Sequence, residues 1–212
     1  MVFQNEKRFW HIVYAYIPIA LIGIFFLGWI ITPSYYTLIF LGVIPFFFLL
    51  WNNKIGQGDV KGSFLYSLPL LWPFVGDFIF GLYKYGSEVL SHWQWSAYPS
   101  TLSSWGIFDN YFWHPFIIIS FSCNLFFLHI FQTSLQRNIK PKWSILATTC
   151  IWTLFFESFI WIDGGLPWDI QSIIISMAIL ASLFLICSFA SYKSNSIAGQ
   201  VILLGIFMSV YV

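Results

Sequence analysis

Charge is what this sequence has least of. Nine Lys or Arg and eight Asp or Glu are spread over 212 residues, 8% of the chain, where a soluble globular chain carries roughly 25%. That leaves too little ionised surface to keep a folded particle of this size in water, so the chain is expected to use the lipid bilayer as its second solvent. The net charge of +1 gives no basic footprint for nucleic acid. Three cysteines, Cys123, Cys150 and Cys187, all fall in apolar runs and cannot build a disulfide framework. In such runs a thiol acts as a small hydrophobe. The four histidines, His11, His92, His114 and His129, never reach H-x-x-x-H or H-E-x-x-H spacing. No G-x-S-x-G elbow or phosphate loop occurs, so no metal and no cofactor is expected. There is no internal repeat and no low-complexity linker, and because the first apolar run is as long as the others and lacks a small-residue cleavage site, no cleavable signal peptide is expected. The sequence reads as one domain, 1–212.

What is present in excess is apolar and aromatic: 59% and 23% of residues, with a mean hydropathy of +0.79. A spanning helix needs about 20 mostly apolar residues. Seven runs qualify: His11–Ile31, Pro33–Trp51, Ser63–Tyr83, Phe112–Ser134, Ser144–Ile162, Ile170–Ser191 and Ser196–Val212. The last is short, so the expectation is an all-α, polytopic integral membrane protein with six or seven transmembrane helices. Only Thr32-Pro33 separates the first two runs, which predicts a helical hairpin. Basic residues orient the chain. Lys7, Arg8, Lys54, Lys61, Arg137, Lys140, Lys142 and Lys193 fall on alternate connections, and Lys84 alone falls on the other side. This predicts a cytoplasmic N-terminus and places the 52–62 and 135–143 loops in the cytoplasm. Trp10, Trp29, Trp51, Trp113, Trp143 and Trp161 sit near span ends, where indole favours the headgroup layer. The aromatic stretch 91–99 of the long outer loop reads as an interfacial segment.

Three acids lie within or against these runs: Asp59, Asp77 and Glu157. A charge at the bilayer centre costs about 2.5–3.5 kcal/mol on insertion scales, so each is a candidate functional residue. Glu157, within Phe155-Phe156-Glu157-Ser158-Phe159, fits either a transport or catalytic role or a buried carboxyl bonded to Ser or Thr on a neighbouring helix. Asp77 follows Pro69 and Pro73, which are expected to break or kink the helix. Asp59 stands in Lys54-Ile55-Gly56-Gln57-Gly58-Asp59-Val60-Lys61-Gly62, where glycines permit close approach and positive φ. An Asp at a helix start is favoured in its ionised form by the exposed N–H groups and the macrodipole. A plain cytoplasmic turn of Gly, Asp and Lys accounts for the same pattern.

Gly56-Gln57-Gly58-Asp59-Val60-Lys61 resembles the G-x-G-D-x-K signature of type IV prepilin peptidases and archaeal preflagellin peptidases. These are membrane aspartyl proteases that process class III signal peptides at the cytoplasmic face. The block follows a helix hairpin and opens an apolar helix. His114-Pro115-Phe116-Ile117-Ile118-Ile119, then Asn124, then Arg137-Asn138, is similar to a downstream helix of the archaeal members, so the resemblance covers roughly residues 1–140. It implies Asp59 as a catalytic carboxylate, with Gly56, Gly58 and Lys61 beside the substrate. It also implies membrane lipid around the chain and, as partner, the leader peptide of a pilin-like or archaellin-like precursor.

The family uses two aspartates, and here no Asp precedes Asp59. Glu6-Lys7-Arg8-Phe9-Trp10 occupies the basic stretch that should follow the first one. Three readings stay open: the chain lacks the helix carrying that Asp, Glu6 substitutes for it, or the protein is a non-catalytic relative. Two carboxyls sharing one proton are required, one acting as base on water and the other polarising the carbonyl. Asp77 is the other candidate, yet eighteen residues of straight helix would set it about 27 Å from Asp59. Only a break at Pro69 or Pro73 brings the two closer. Gly76-Asp77-Phe78 resembles the catalytic segment of presenilin-type proteases, but Phe74 stands where a glycine belongs and no Pro-Ala-Leu follows, so we read it as coincidence. A second class of function fits the same residues: a non-enzymatic membrane subunit of a larger complex, or a small transporter using Asp77 and Glu157.

Overall fold

Apolar runs without strand-like alternation should wind into helices, and in the computed structural model they do. It describes residues 2–27, 37–52, 58–86, 114–164 and 170–211. They form α1 (Val2–Leu27), α2 (Thr37–Trp51), α3 (Val60–Ser67), α4 (Trp72–Tyr85), α5 (His114–Gln132), α6 (Pro141–Gly164), α7 (Ile170–Ser194) and α8 (Ala198–Tyr211). No strand occurs among the described residues, so the protein is all-α. The predicted Thr32-Pro33 turn and the aromatic stretch 91–99 lie outside them.

α5 is the central post, packed by α2, α6, α7 and α8, while α3 sits against α7 and α8. Stacked rings tie α5, α6 and α7 together. Phe127 lies on Trp152 with ring centroids 5.3 Å apart, and Trp152 lies on Phe184 at 4.1 Å. Such pairs contribute about 0.5–1.5 kcal/mol beyond the area they bury. α1 joins through Phe9, stacked on Phe48 of α2 at 4.9 Å.

Proline marks the interruptions. The predicted span Ser63–Tyr83 is two helices, separated by a tight 3-10 turn over Leu68–Leu71 that holds Pro69, and Pro73 opens α4. The first of these helices begins before Ser63, because Asp59 caps it at Val60. α5 and the first part of α2, Thr37–Val43, take the wider π register.

Polar side chains are buried alongside the apolar core, and large apolar ones are left exposed on most of the helices. Buried positions include Asn124, Gln132, Thr148, Glu157, Ser188 and Gln200. Ile19, Phe47, Leu65, Leu154, Ile174 and Ile202, from six helices, are exposed. One described helix segment, Ile173–Ser194, is long and apolar enough to cross a membrane, with 22 residues and only a third of its apolar window buried inside. Thr37–Trp51 is apolar but shorter.

One end of the bundle gathers the start of α1, the end of α2, the start of α3, the end of α5 and the α7–α8 turn. The contacts that join them are specific. Asp59 N donates to Ser194 O at 2.8 Å, Asn138 Nδ2 donates to the Tyr14 hydroxyl at 2.8 Å, and one cavity is lined by Trp10, Leu49, Thr133 and Asn195.

Candidate functional site

The G-x-G-D block is built as a helix start. Asp59 takes an extended conformation (φ −84°, ψ 97°), and its Oδ1 accepts from Gly62 N at 2.9 Å while its carbonyl accepts from Ser63 N at 2.9 Å. This is the N-cap arrangement, which satisfies a donor that the helix itself leaves unpaired. The Asp59 side chain is otherwise exposed, and so is Lys61. Gly58 has φ +156°, and a Cβ there would lie 2.1 Å from Asn195 O. The chain passes so close to the α7–α8 turn that only glycine fits. Gly56, the first glycine of the block, lies outside the described residues.

The turn it meets was not singled out from the sequence. Asn195 has positive φ (51°) between α7 and α8. Beneath it, buried Ser63 Oγ accepts from Gly199 N at 2.9 Å. The Gln200 amide is oriented by its neighbours. Its nitrogen faces Ser63 Oγ at 2.8 Å and Ile197 O at 3.1 Å, while its oxygen accepts from Ser191 N at 2.7 Å. A Cβ on Gly199 would stand 2.5 Å from Ser63 backbone atoms, so α3 and α8 cross in backbone contact. Small and polar residues interrupting the apolar run at Ser194, Asn195, Ser196, Gly199 and Gln200 are the signal for this junction.

Two cavities flank the junction. The larger, about 320 Å³, is lined by Val60, Phe46, Leu125, Ile197 and Val201, with His129 and Asn195 at its border. The smaller, about 150 Å³, shares His129 and Asn195 and is walled by Phe9, Trp10 and Leu49. His129 is therefore a half-buried wall residue shared by the two spaces.

The remaining acids are elsewhere. Asp77 lies on α4, beyond the 68–71 turn, and its side chain is outside the described residues. Glu157 is buried in α6, and its Oε1 accepts from Ser176 Oγ of α7 at 2.6 Å. Glu6 pairs with Arg137 at 3.2 Å. Among the described residues no second carboxyl is hydrogen-bonded to Asp59, and no group of three or more His, Cys, Asp or Glu is placed to hold a metal ion. Compared with known proteins, the chain matches no family model, no curated protein and no solved structure.

Proposed function

We propose that the chain crosses a membrane six or seven times with its N-terminus in the cytoplasm. We further propose that it acts as an aspartyl endopeptidase of the prepilin and preflagellin peptidase kind on membrane-inserted leader peptides. The apolar outward faces and the buried polar side chains support the first part, since lipid reverses the usual preference. Lys7, Arg8, Lys61, Arg137, Lys140, Lys142 and Lys193 are carried by segments that gather at one end of the bundle, as the basic-side rule asks.

The observation that carries the peptidase reading is the setting of Asp59. It is an exposed carboxylate at a helix start, at the basic end, next to the apolar cavity that begins at Val60. Its exposure leaves the carboxylate open to a water molecule, as a general base requires. Asp59 would take a proton from water as the water oxygen attacks the scissile carbonyl carbon, and the proton would then pass to the departing amine nitrogen. A second, protonated carboxyl must polarise that carbonyl. Asp77, beyond the 68–71 turn, and Glu6, at the same end, are the candidates this chain offers. Gly58 and Lys61 would flank the leader, its apolar segment in the cavity.

A second reading has its own support. Gly58 and the Asp59 backbone join α3 to the α7–α8 turn, the Asp59 side chain caps its own helix at Gly62, and Glu157 is engaged by Ser176. These are structural roles, as expected of a non-enzymatic subunit of a membrane complex. Co-expression with a pilin-like precursor separates the two. The peptidase converts the leader-bearing band to the shorter form in wild type and not in Asp59→Asn. Equal leader-bearing bands in both sink it and leave the subunit reading.

A further inference from the structure

A third hollow, about 530 Å³, lies on the outside of the basic end, between α1 and the turn after α5. Lys7, Trp10, His11, Tyr14, Arg137 and Asn138 line it, together with Glu6. The Arg137 guanidinium carbon lies over the Trp10 ring at 4.4 Å from its centroid. Both its Nη atoms meet a single oxygen, Glu6 Oε1, at 3.3 and 3.2 Å. A guanidinium carries five donors in a fixed fork, so this pairing leaves part of the fork free, and 40% of the side chain is exposed. Lys7 adds a second exposed cation with no carboxylate partner among the described residues, so the hollow is net positive.

The face of α1 that carries Lys7, His11 and Tyr14 runs on, at helical spacing, through Pro18 to Ile22, all exposed. A cationic pocket thus opens onto an apolar strip on the same helix face. A soluble anion would use only the pocket, whereas a phospholipid would use both.

We propose that this hollow seats the phosphate of an anionic phospholipid, held by Arg137 and Lys7, with the acyl chains along the α1 strip. The proposal rests on the membrane-spanning reading above, not on the peptidase reading. Glu6 limits the charge of the pocket, and Trp10 covers one side of the guanidinium, which strengthens its hold on phosphate.

The test uses the full chain purified in a neutral detergent and given equal amounts of phosphatidylglycerol and phosphatidylcholine. The lipid retained after gel filtration is then measured by mass spectrometry. Wild type should retain phosphatidylglycerol in preference. Arg137→Gln and Lys7→Gln should each lower that preference about fivefold, while Glu6→Gln should keep or raise it. Thermal transitions identify any variant that fails to fold, and Glu6→Gln, which removes no cation, then carries the test. Equal retention of both lipids, an unchanged preference in Arg137→Gln, or its loss in Glu6→Gln overturns the proposal. So does displacement by free glycerol phosphate at matched concentration, which would mark a soluble-phosphate site. Failure of the chain to enter phosphatidylcholine vesicles at all would instead overturn the membrane reading itself.

Discussion

Asp59 and Glu157 are both acids in a chain that can carry few, and the structure treats them in opposite ways. Asp59 stands at a helix start with one oxygen bonded to a backbone N–H and the remainder of the carboxylate exposed. Glu157 is sunk between α6 and α7 with a serine hydroxyl against it. A carboxyl that only has to join two helices can be buried behind one hydrogen bond. A carboxyl that must meet water or a substrate has to remain at an edge. The comparison separates a carboxyl held by a neighbouring helix from one open to solvent, although both follow or precede apolar runs in the sequence.

The comparison breaks first at the backbone. Gly58→Ala is expected to destabilise by roughly 2–3 kcal/mol, because the new Cβ meets a backbone carbonyl and the positive φ is lost to an L side chain. Gly76→Ala on α4, where a new Cβ would meet nothing within 4 Å, should instead stabilise by about 0.5–1 kcal/mol through helix propensity. Thermal unfolding in detergent reads both. If Gly58→Ala melts like wild type, the close approach to Asn195 is not required and the Asp59 corner is a loose loop.

At the buried acid, Ser176→Ala should cost about 1–3 kcal/mol by leaving a carboxyl without its partner. Pairing it with Glu157→Leu should recover most of that loss, since replacing both partners by apolar groups is close to neutral. A double-mutant cycle on the melting transition measures it. If the double variant is worse than either single one, Glu157 has a further role beyond holding α7.

Helix class and the positions of the breaks were legible because apolar run length and proline act locally. Pro69 and Pro73 announced the 68–71 turn, and Glu157 was readable as a carboxyl bonded to a serine or threonine, one of the two roles considered for it. The partner of the G-x-G-D block was not legible. Gly58 and Asp59 are fitted to Ser194 and Asn195, well over a hundred residues away in the chain, and no local pattern encodes a contact at that separation. Ser63, Gly199 and Gln200 escaped for the same reason: each reads as a small or polar interruption until α3 and α8 are seen to cross. The pairing of Glu6 with Arg137 was equally hidden, although both residues were singled out separately.

At the exposed acid the expected effects on stability are smaller and those on chemistry larger. Asp59→Ala should cost about 1 kcal/mol as a lost N-cap, and Asp59→Asn should restore nearly all of it, because asparagine caps as well as aspartate. Asn cannot act as a base. A variant that melts like wild type yet processes no leader therefore assigns Asp59 to chemistry, and one that loses stability and changes nothing else assigns it to the cap.

The smallest effect belongs to the pair that most resembles an ordinary surface contact. Glu6→Gln removes an ion pair in which both side chains are about 40% exposed, and such pairs contribute roughly 0–1 kcal/mol. Its melting point should fall slightly at low salt and match wild type at high salt, because exposed charges are screened beyond the Debye length. The Asp59 cap is a directed hydrogen bond at a helix start, so the Asp59→Ala deficit should persist in large part at high salt. If the Glu6→Gln deficit also persists, Glu6 acts through packing against the turn after α5 rather than through charge, and the two ends of the salt titration tell these apart.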